Sequence, residues 1–293
     1  MIGALELVLV RHGQTEANRK DLMQGHCDYP LTIQGTCDCK LTGIALAQVP
    51  WARVVCSDLP RAVKTCCYIL EQKDMSYEEA LTALGATHKD PLPLEEVEKL
   101  PSNQSSSIYL TKDARELYKG IREGLPKDMD IDEVRAVVAQ RTGQDIKTIV
   151  DNAENQAHLY ERQKKMLLDI VQALSHTNTA EAAAINTTET DNTNNLQQHV
   201  GNVLCVAHGG FIKQFLYLMC KMSLPTIEKI KNCSITTVHV EWDDNYNIIC
   251  THSIDRISLV HHLPLRRTED DVTDVEAAVT KATAAQNAYH YLL

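Results

Sequence analysis

Leu7-Val8-Leu9-Val10-Arg11-His12-Gly13 decides how this chain is read: four apolar residues in a row end on an arginine, a histidine and a glycine. A short apolar run bounded by a turn signal reads as a buried strand, and the residues that follow it lie at the strand's C-terminal end. The arrangement recurs far downstream, where Val203-Leu204-Cys205-Val206-Ala207 leads into His208-Gly209. Open α/β sheets bind ligands in the crevice at the C-terminal ends of neighbouring parallel strands. If the two runs are neighbours, His12 and His208 meet in such a crevice. Two imidazoles and a guanidinium there point to phosphoryl chemistry. A neutral imidazole can attack phosphorus, and arginine binds phosphate oxygens bidentately while staying charged.

The flanking sequence supports such a sheet. Ala52 to Cys56 reads as a second strand that turns at Ser57-Asp58 into a helix, with Pro60 near its first position and Val63, Cys66, Cys67 and Leu70 at helical spacing. Thr32 opens an earlier helix carrying Leu41, Ile44, Ala45 and Leu46, and Phe211 to Cys220 forms another after the second His-Gly. Ser234 to Trp242 and Tyr246 to His252 read as strands joined by Asp243-Asp244-Asn245. Repeated strand-then-helix units predict a three-layer α/β/α fold with a mostly parallel central sheet. The middle, from about Ser76 to Ser175, reads as a largely helical insertion, with a capping box at Ser76-Tyr77-Glu78-Glu79 and loops at its prolines. The expected organisation is one domain over 1–263, with an insertion at about 72–112 and a Thr/Asn-rich surface loop at about 176–200. A peripheral C-terminal helix or tail over 264–293 completes it.

Composition narrows the function. The 293 residues are 44% hydrophobic but only 5% aromatic, so the core is built from Leu, Val, Ile, Ala and Cys, as suits a parallel sheet. A net charge of -10 argues against nucleic acid or anionic membrane as partner, and an anionic substrate then needs a locally basic pocket. The N-terminus enters a strand directly, without a cleavable apolar segment, and no run is long enough to span a bilayer. A cytoplasmic protein is expected. Its 10 cysteines are then free thiols, and Cys37-Asp38-Cys39 and Cys66-Cys67 lack zinc-ribbon spacing. Cys27, near the expected site, is the one candidate for redox sensitivity. No metal or cofactor is called for, because the carboxylates show no convincing metal spacing.

The string from Leu7 to Asn18, with Arg11-His12-Gly13-Gln14-Thr15-Glu16-Ala17-Asn18 at its heart, resembles the opening of the histidine phosphatase superfamily, the phosphoglycerate-mutase-like fold. Gln24-Gly25-His26-Cys27-Asp28-Tyr29-Pro30-Leu31-Thr32 resembles the segment after the family's first loop. Ser57-Asp58-Leu59-Pro60-Arg61-Ala62-Val63-Lys64-Thr65 resembles its Ser-Asp-Leu-x-Arg-Ala-x-x-Thr motif, and Val206 to Gly210 and Asn232-Cys233-Ser234-Ile235 resemble its late segments. The resemblance covers roughly the first 70 residues, about Asp113 to Gly124, and Asn202 to about His262.

It implies His12 as nucleophile, with Arg11, Arg61 and His208 around the phosphoryl group. Asn18, Gln24, Gly25 and Gly209 are implied as further phosphate contacts. Ala114 to Gly124 keeps the family spacing Glu-x-x-x-Gly-x-x-Glu-Gly, which implies Glu116 as the acid that protonates the leaving oxygen, with Glu123 as runner-up. Where the family has Gly-Gly-Glu-Ser before a long helix, this chain has Asn152-Ala153-Glu154-Asn155, with Arg162 downstream.

The mutase branch's Trp-Asn and Arg-Arg-Ser-Tyr strings are missing, and Thr15 to Asn18 resembles the phosphatase branch, including fructose-2,6-bisphosphatase and TIGAR-like enzymes. The expected function is a metal-independent phosphomonoesterase working through a phosphohistidine on a small phosphorylated metabolite, a sugar (bis)phosphate among them. The alternatives are a phosphoglycerate mutase and a phosphate-binding scaffold with little or no turnover. Substrate identity and oligomeric state are not legible at this level.

Overall fold

Alternation along the first strand divides the molecule into layers. In β1 (Gly3–Arg11), Leu5, Leu7 and Leu9 point to one side of the sheet and Val8 and Val10 to the other, all with no exposed surface. The computed structural model describes residues 3–71, 108–185, 198–252, 257–261 and 263. Within these, β1 joins β2 (Trp51–Ser57), β3 (Ile108–Thr111), β4 (Gln198–Ala207), β5 (Ile235–Trp242) and β6 (Ile248–His252) in one six-stranded sheet of order β3-β2-β4-β1-β5-β6. The pairs β3/β2, β2/β4 and β4/β1 are parallel, while β5 runs antiparallel between β1 and β6.

On the side of Leu5, Leu7 and Leu9 lie Leu159, Met166, Leu167 and Ile170 of the helix Gln156–Ile185 and Phe211, Ile212 and Phe215 of the helix Gly209–Leu218. On the side of Val8 and Val10 lie Leu46, from the helix Ile33–Leu46, and Ala62, Val63 and Cys66, from the helix Pro60–Glu71. Among the described residues the α-helices are, in chain order, α1 (Glu16–Arg19), α2 (Ile33–Leu46), α3 (Pro60–Glu71), α4 (Ile131–Thr142), α5 (Gln156–Ile185) and α6 (Gly209–Leu218). The three-layer α/β/α arrangement expected from the sequence is present. Each Leu or Val fully buried in it contributes about 1.5–3 kcal/mol, so the sheet is a rigid base for what stands at its edge.

Local chemistry sets several helix starts. Thr32 caps α2 by accepting the Gly35 N–H, and Asp130 forms a capping box with Glu133 at the start of α4, which ends on Gly143 in the left-handed region. The chain leaves β1 for the α2/α3 side and leaves β4 for the α6 side. The gap between the ends of β1 and β4 is therefore a topological switch point, where α/β folds bind ligands.

Two readings need correction. The strand β3 was not expected, since Ile108-Tyr109-Leu110-Thr111 is too short to stand out as a pattern. The surface loop expected over 176–200 is helical up to Ile185, where α5 ends, and is strand from Gln198, while 186–197 lies outside the described residues. Its Ala180-Glu181-Ala182-Ala183-Ala184 run has high helix propensity despite the polar residues before it. The capping box at Ser76, most of the insertion at 72–112 and the tail over 264–293 fall outside the described residues. Among the described residues, no helix is long and apolar enough to cross a membrane.

Candidate active site

Strand register brings the two histidines together. Arg11 pairs with Ala207 across β1 and β4, and the His12 N–H donates to the Ala207 carbonyl at 2.9 Å. The imidazoles of His12 and His208 then stand with ring centroids 5.1 Å apart, both buried. His12 Nδ1 lies 2.7 Å from the Gly13 carbonyl. A carbonyl only accepts, so Nδ1 carries the proton and Nε2 of neutral His12 holds the lone pair. Burial, followed by the positive charges of Arg61 and Arg11, pushes the pKa of His12 well below the usual histidine range. The ring is therefore neutral at working pH.

The loop around His12 is tied from beneath. Gly13 N–H donates to Thr65 Oγ1 at 2.9 Å, and Asn232 Nδ2 donates to the His12 carbonyl at 2.9 Å and to Asn18 Oδ1 at 3.1 Å. A Cβ on Gly13 would lie 2.5 Å from Cys39 Sγ, so this position has no room for a side chain. Thr15 caps α1 in a capping box with Asn18, and its hydroxyl donates to Gln24 Oε1 at 3.0 Å.

Arg11 donates through Nη1 to the Ile230 carbonyl at 2.7 Å, and its guanidinium packs on Gly209, where a Cβ would lie 3.0 Å from Nε. Arg61, 1% exposed, donates through Nη2 to the Gly25 carbonyl at 2.6 Å and through Nη1 to the Cys27 carbonyl at 2.9 Å and Asp28 Oδ1 at 3.3 Å. Gly25 and Gln24 are thus engaged in building the site: Gly25 offers Arg61 its carbonyl, and Gln24 takes the Thr15 hydroxyl.

His208 occupies the N-cap position of α6 without a side-chain capping bond, and its Nε2 meets Ser57 Oγ at 2.8 Å. Burial first, then the charge of Arg61 and the neighbouring His12, Arg11 and Arg162, pushes its pKa well below the histidine range. Three buried nitrogens around His12 have no hydrogen-bond partner among the described residues: Arg11 Nε, Arg61 Nε and His208 Nδ1. An unsatisfied buried donor costs about 1–3 kcal/mol, more when charged. The three belong to residues that surround His12, and an anion bound among them would satisfy the two guanidinium donors.

Glu116 reaches this socket from the loop after β3. Its Oε2 accepts the Gly210 N–H in the first turn of α6 at 2.8 Å, and Oε1 accepts the Leu117 N–H at 2.8 Å. A Cβ on Gly210 would lie 2.3 Å from Glu116 Oε1, so the glycine makes room for the carboxylate.

The loop itself is held by Arg162 of α5. Arg162 Nε and Nη2 grip the two Glu154 oxygens at 2.7 and 2.8 Å, Nη1 donates to the Asp113 and Arg115 carbonyls at 2.7 Å each, and Nη2 also reaches the Glu116 carbonyl at 3.2 Å. His26 Nε2 donates to the same Glu116 carbonyl at 2.9 Å. The glycines missing before Glu154 therefore do not cost the chain this ion pair.

Glu123, the runner-up acid, is committed elsewhere. Its carboxylate accepts the backbone N–H groups of His26 at 2.6 Å, Cys27 at 2.9 Å and Lys119 at 3.1 Å. All ten cysteines are free. Partial burial, then the hydrogen bond to Glu123, pushes the Cys27 thiol up to about 11, so it stays protonated and unreactive. Among the described residues, no three His, Cys, Asp or Glu side chains cluster as a metal set.

Sequence reasoning did not single out Ser57, His26, Asn232 or Arg162 as functional. All four act across long stretches of chain, and only their places in the quoted motifs offered a signal.

Residues 7–84 match the histidine phosphatase superfamily (branch 1), and this N-terminal stretch is similar to phosphatases and mutases. The adenosylcobalamin/alpha-ribazole phosphatase of Salmonella typhimurium is 44% identical over 71 residues, 24% of this chain and 35% of that one. The 2,3-bisphosphoglycerate-dependent phosphoglycerate mutase of Neisseria meningitidis serogroup C is 37% identical over 75 residues, 25% of this chain and 33% of that one. The matched stretch thus spans about a third of these relatives' lengths. Among solved structures, the mycobacterial glucosyl-3-phosphoglycerate phosphatase has a TM-score of 0.52 at 20% identity, covering 85% of this chain and 97% of that one. A phosphoglycerate mutase from Bacillus anthracis str. Sterne has a TM-score of 0.51 at 20% identity, covering 96% and 97%. These likenesses show the fold.

Proposed function

We propose that this chain is a phosphatase that hydrolyses small phosphorylated metabolites through a phosphohistidine on His12. The observation that carries the reading is the socket: Arg11 Nε, Arg61 Nε and His208 Nδ1 without partners, beside an imidazole whose tautomer leaves Nε2 nucleophilic. In the first step His12 Nε2 attacks phosphorus as the ester P–O bond breaks, and the Glu116 carboxyl group gives a proton to the departing alcohol. In the second, Glu116 takes a proton from the water that attacks phospho-His12, releasing inorganic phosphate and regenerating both groups. Arg11, Arg61 and His208 stabilise the phosphoryl oxygens throughout, and Asn18 and the backbone at Gly209 are secondary contacts.

Within phosphatases we favour the branch of fructose-2,6-bisphosphatase and TIGAR-like enzymes, with a sugar (bis)phosphate as the first substrate class to test. Ten free thiols suit the reducing cytoplasm.

Brief exposure to phosphate-labelled ester followed by acid-free quench tests the nucleophile: wild type retains label and His12→Ala does not. Equal labelling of both would sink it. The 37% identity to a mutase over 75 residues supports phosphoglycerate mutase as a second reading. A panel of sugar bisphosphates, phosphoglycerates and nucleotides separates the two, since a mutase delivers the phosphoryl group to an alcohol and a phosphatase to water. A chain stabilised by vanadate that released phosphate from no ester would be a scaffold instead.

A further inference from the structure

His12 and His208 differ in how their protons are fixed. The partner of His12 Nδ1 is a carbonyl, which leaves one tautomer. The partner of His208 Nε2 is the Ser57 hydroxyl, which can donate or accept, so that contact alone leaves two. The remaining contacts of Ser57 decide between them. Ser57 is fully buried at the last position of β2, and its Oγ already accepts the Leu59 N–H at 3.4 Å. Among the described residues, the only acceptor within hydrogen-bond reach of its own O–H is His208 Nε2, at 2.8 Å. Turning that proton away would leave a buried hydroxyl unsatisfied, at about 1–3 kcal/mol.

We propose that Ser57 is a positioning residue that sets the tautomer of His208. Its O–H donates to the Nε2 lone pair, so the imidazole proton sits on Nδ1, the nitrogen with no partner among the described residues. The neutral state in which this choice arises is the one that burial and the charge of Arg61 favour.

The two imidazoles are then wired in opposite senses. His12 ties up its N–H and presents a lone pair, whereas His208 ties up its lone pair and presents an N–H. Facing a phosphoryl group, the first approaches phosphorus and the second donates to an equatorial oxygen. The reverse tautomer of His208 would aim a lone pair at that oxygen and repel it. The catalytic meaning of this wiring rests on the phosphatase reading, while the position of the proton does not.

Ring-nitrogen NMR of protein carrying 15N-labelled histidine, in buffer free of phosphate, reads the proton directly. Wild type is expected to show His208 protonated at Nδ1 and bare at Nε2. Ser57→Ala, which removes the donor, is expected to move His208 towards the Nε2–H form and leave His12 unchanged. With one donor to the oxyanion weakened, affinity for inorganic vanadate and kcat/KM both fall about tenfold, the equivalent of one hydrogen bond. A wild-type His208 protonated at Nε2 would overturn the proposal, and so would an unchanged His208 tautomer in Ser57→Ala. If wild type hydrolyses no ester, the phosphatase reading fails, and the NMR result still decides the tautomer.

Discussion

The two halves of the site are built by different means. The socket of His12, His208, Arg11 and Arg61 stands on strand ends and the turn into α3, and its backbone is fixed by the register of a buried sheet. Glu116 sits on an irregular loop, held in place by side chains: Arg162 with Glu154, His26, and the small Gly210. A group on a rigid edge needs little else to hold it, whereas a group on a loop needs clamps reaching it from elsewhere. The socket should therefore fail only when its own residues change, and the acid when residues far from it in sequence change.

The largest effect expected is from His12→Ala, which removes the attacking atom. Turnover falls by more than about 10³-fold and the labelled phosphoenzyme disappears, while the sheet stays intact by circular dichroism. Glu116→Gln comes next, with a loss of about 10²–10⁴-fold for alkyl esters but little for p-nitrophenyl phosphate, whose leaving group needs no proton. A loss independent of leaving-group pKa would mean that Glu116 is not the acid.

Two adjacent glycines put the comparison to a finer test. Gly210→Ala pushes its Cβ against Glu116 and should imitate Glu116→Gln, sparing activated esters. Gly209→Ala presses on the Arg11 guanidinium and should weaken vanadate binding and slow turnover of every ester alike. If the two variants show the same leaving-group dependence, the halves are not separate.

Arg162→Lys loses the bidentate grip on Glu154 and the contacts to the loop carbonyls. About tenfold lower turnover of alkyl esters is expected, with unchanged vanadate affinity and about 1–3 kcal/mol less stability in denaturant titration.

The smallest effect is on stability against pH. His12 and His208 have folded pKa values below their unfolded ones, so the unfolded chain binds more protons as pH falls through about 6.5. Each histidine therefore lowers stability by up to about 1.4 kcal/mol per pH unit below that point, until its own folded pKa is reached. Above about pH 6.5 the effect fades. Denaturant midpoints at pH 7 and pH 5.5 should fall further in wild type than in His208→Asn.

The same contrast explains what could be read from the sequence. The meeting of His12 and His208 is legible because Leu7-Val8-Leu9-Val10 and Val203 to Ala207 are buried strands whose ends announce themselves by a change from apolar to polar, and because parallel neighbours align those ends, whereas Arg61 is marked by the family motif. Glu116 was reachable only through family spacing, one among 39 acidic residues. Its clamps were not legible. Arg162 to the Asp113 carbonyl and Asn232 to the His12 carbonyl join a side chain to a backbone group 49 and 220 residues away, and such contacts leave no local pattern. The strand β3 escaped for a different reason, because four residues are too few to establish a period.

Glu123 carries a consequence in time rather than in space. One carboxylate holds the amides of His26 and Cys27 in one loop and of Lys119 in the other, and Gly25, at φ +54°, leaves no room for a Cβ between them. Neither loop can swing out without breaking the same set of bonds, so the two open as a single kinetic unit. Their amides should then exchange with deuterium through one shared opening event, and protection lost in one loop should be lost in the other.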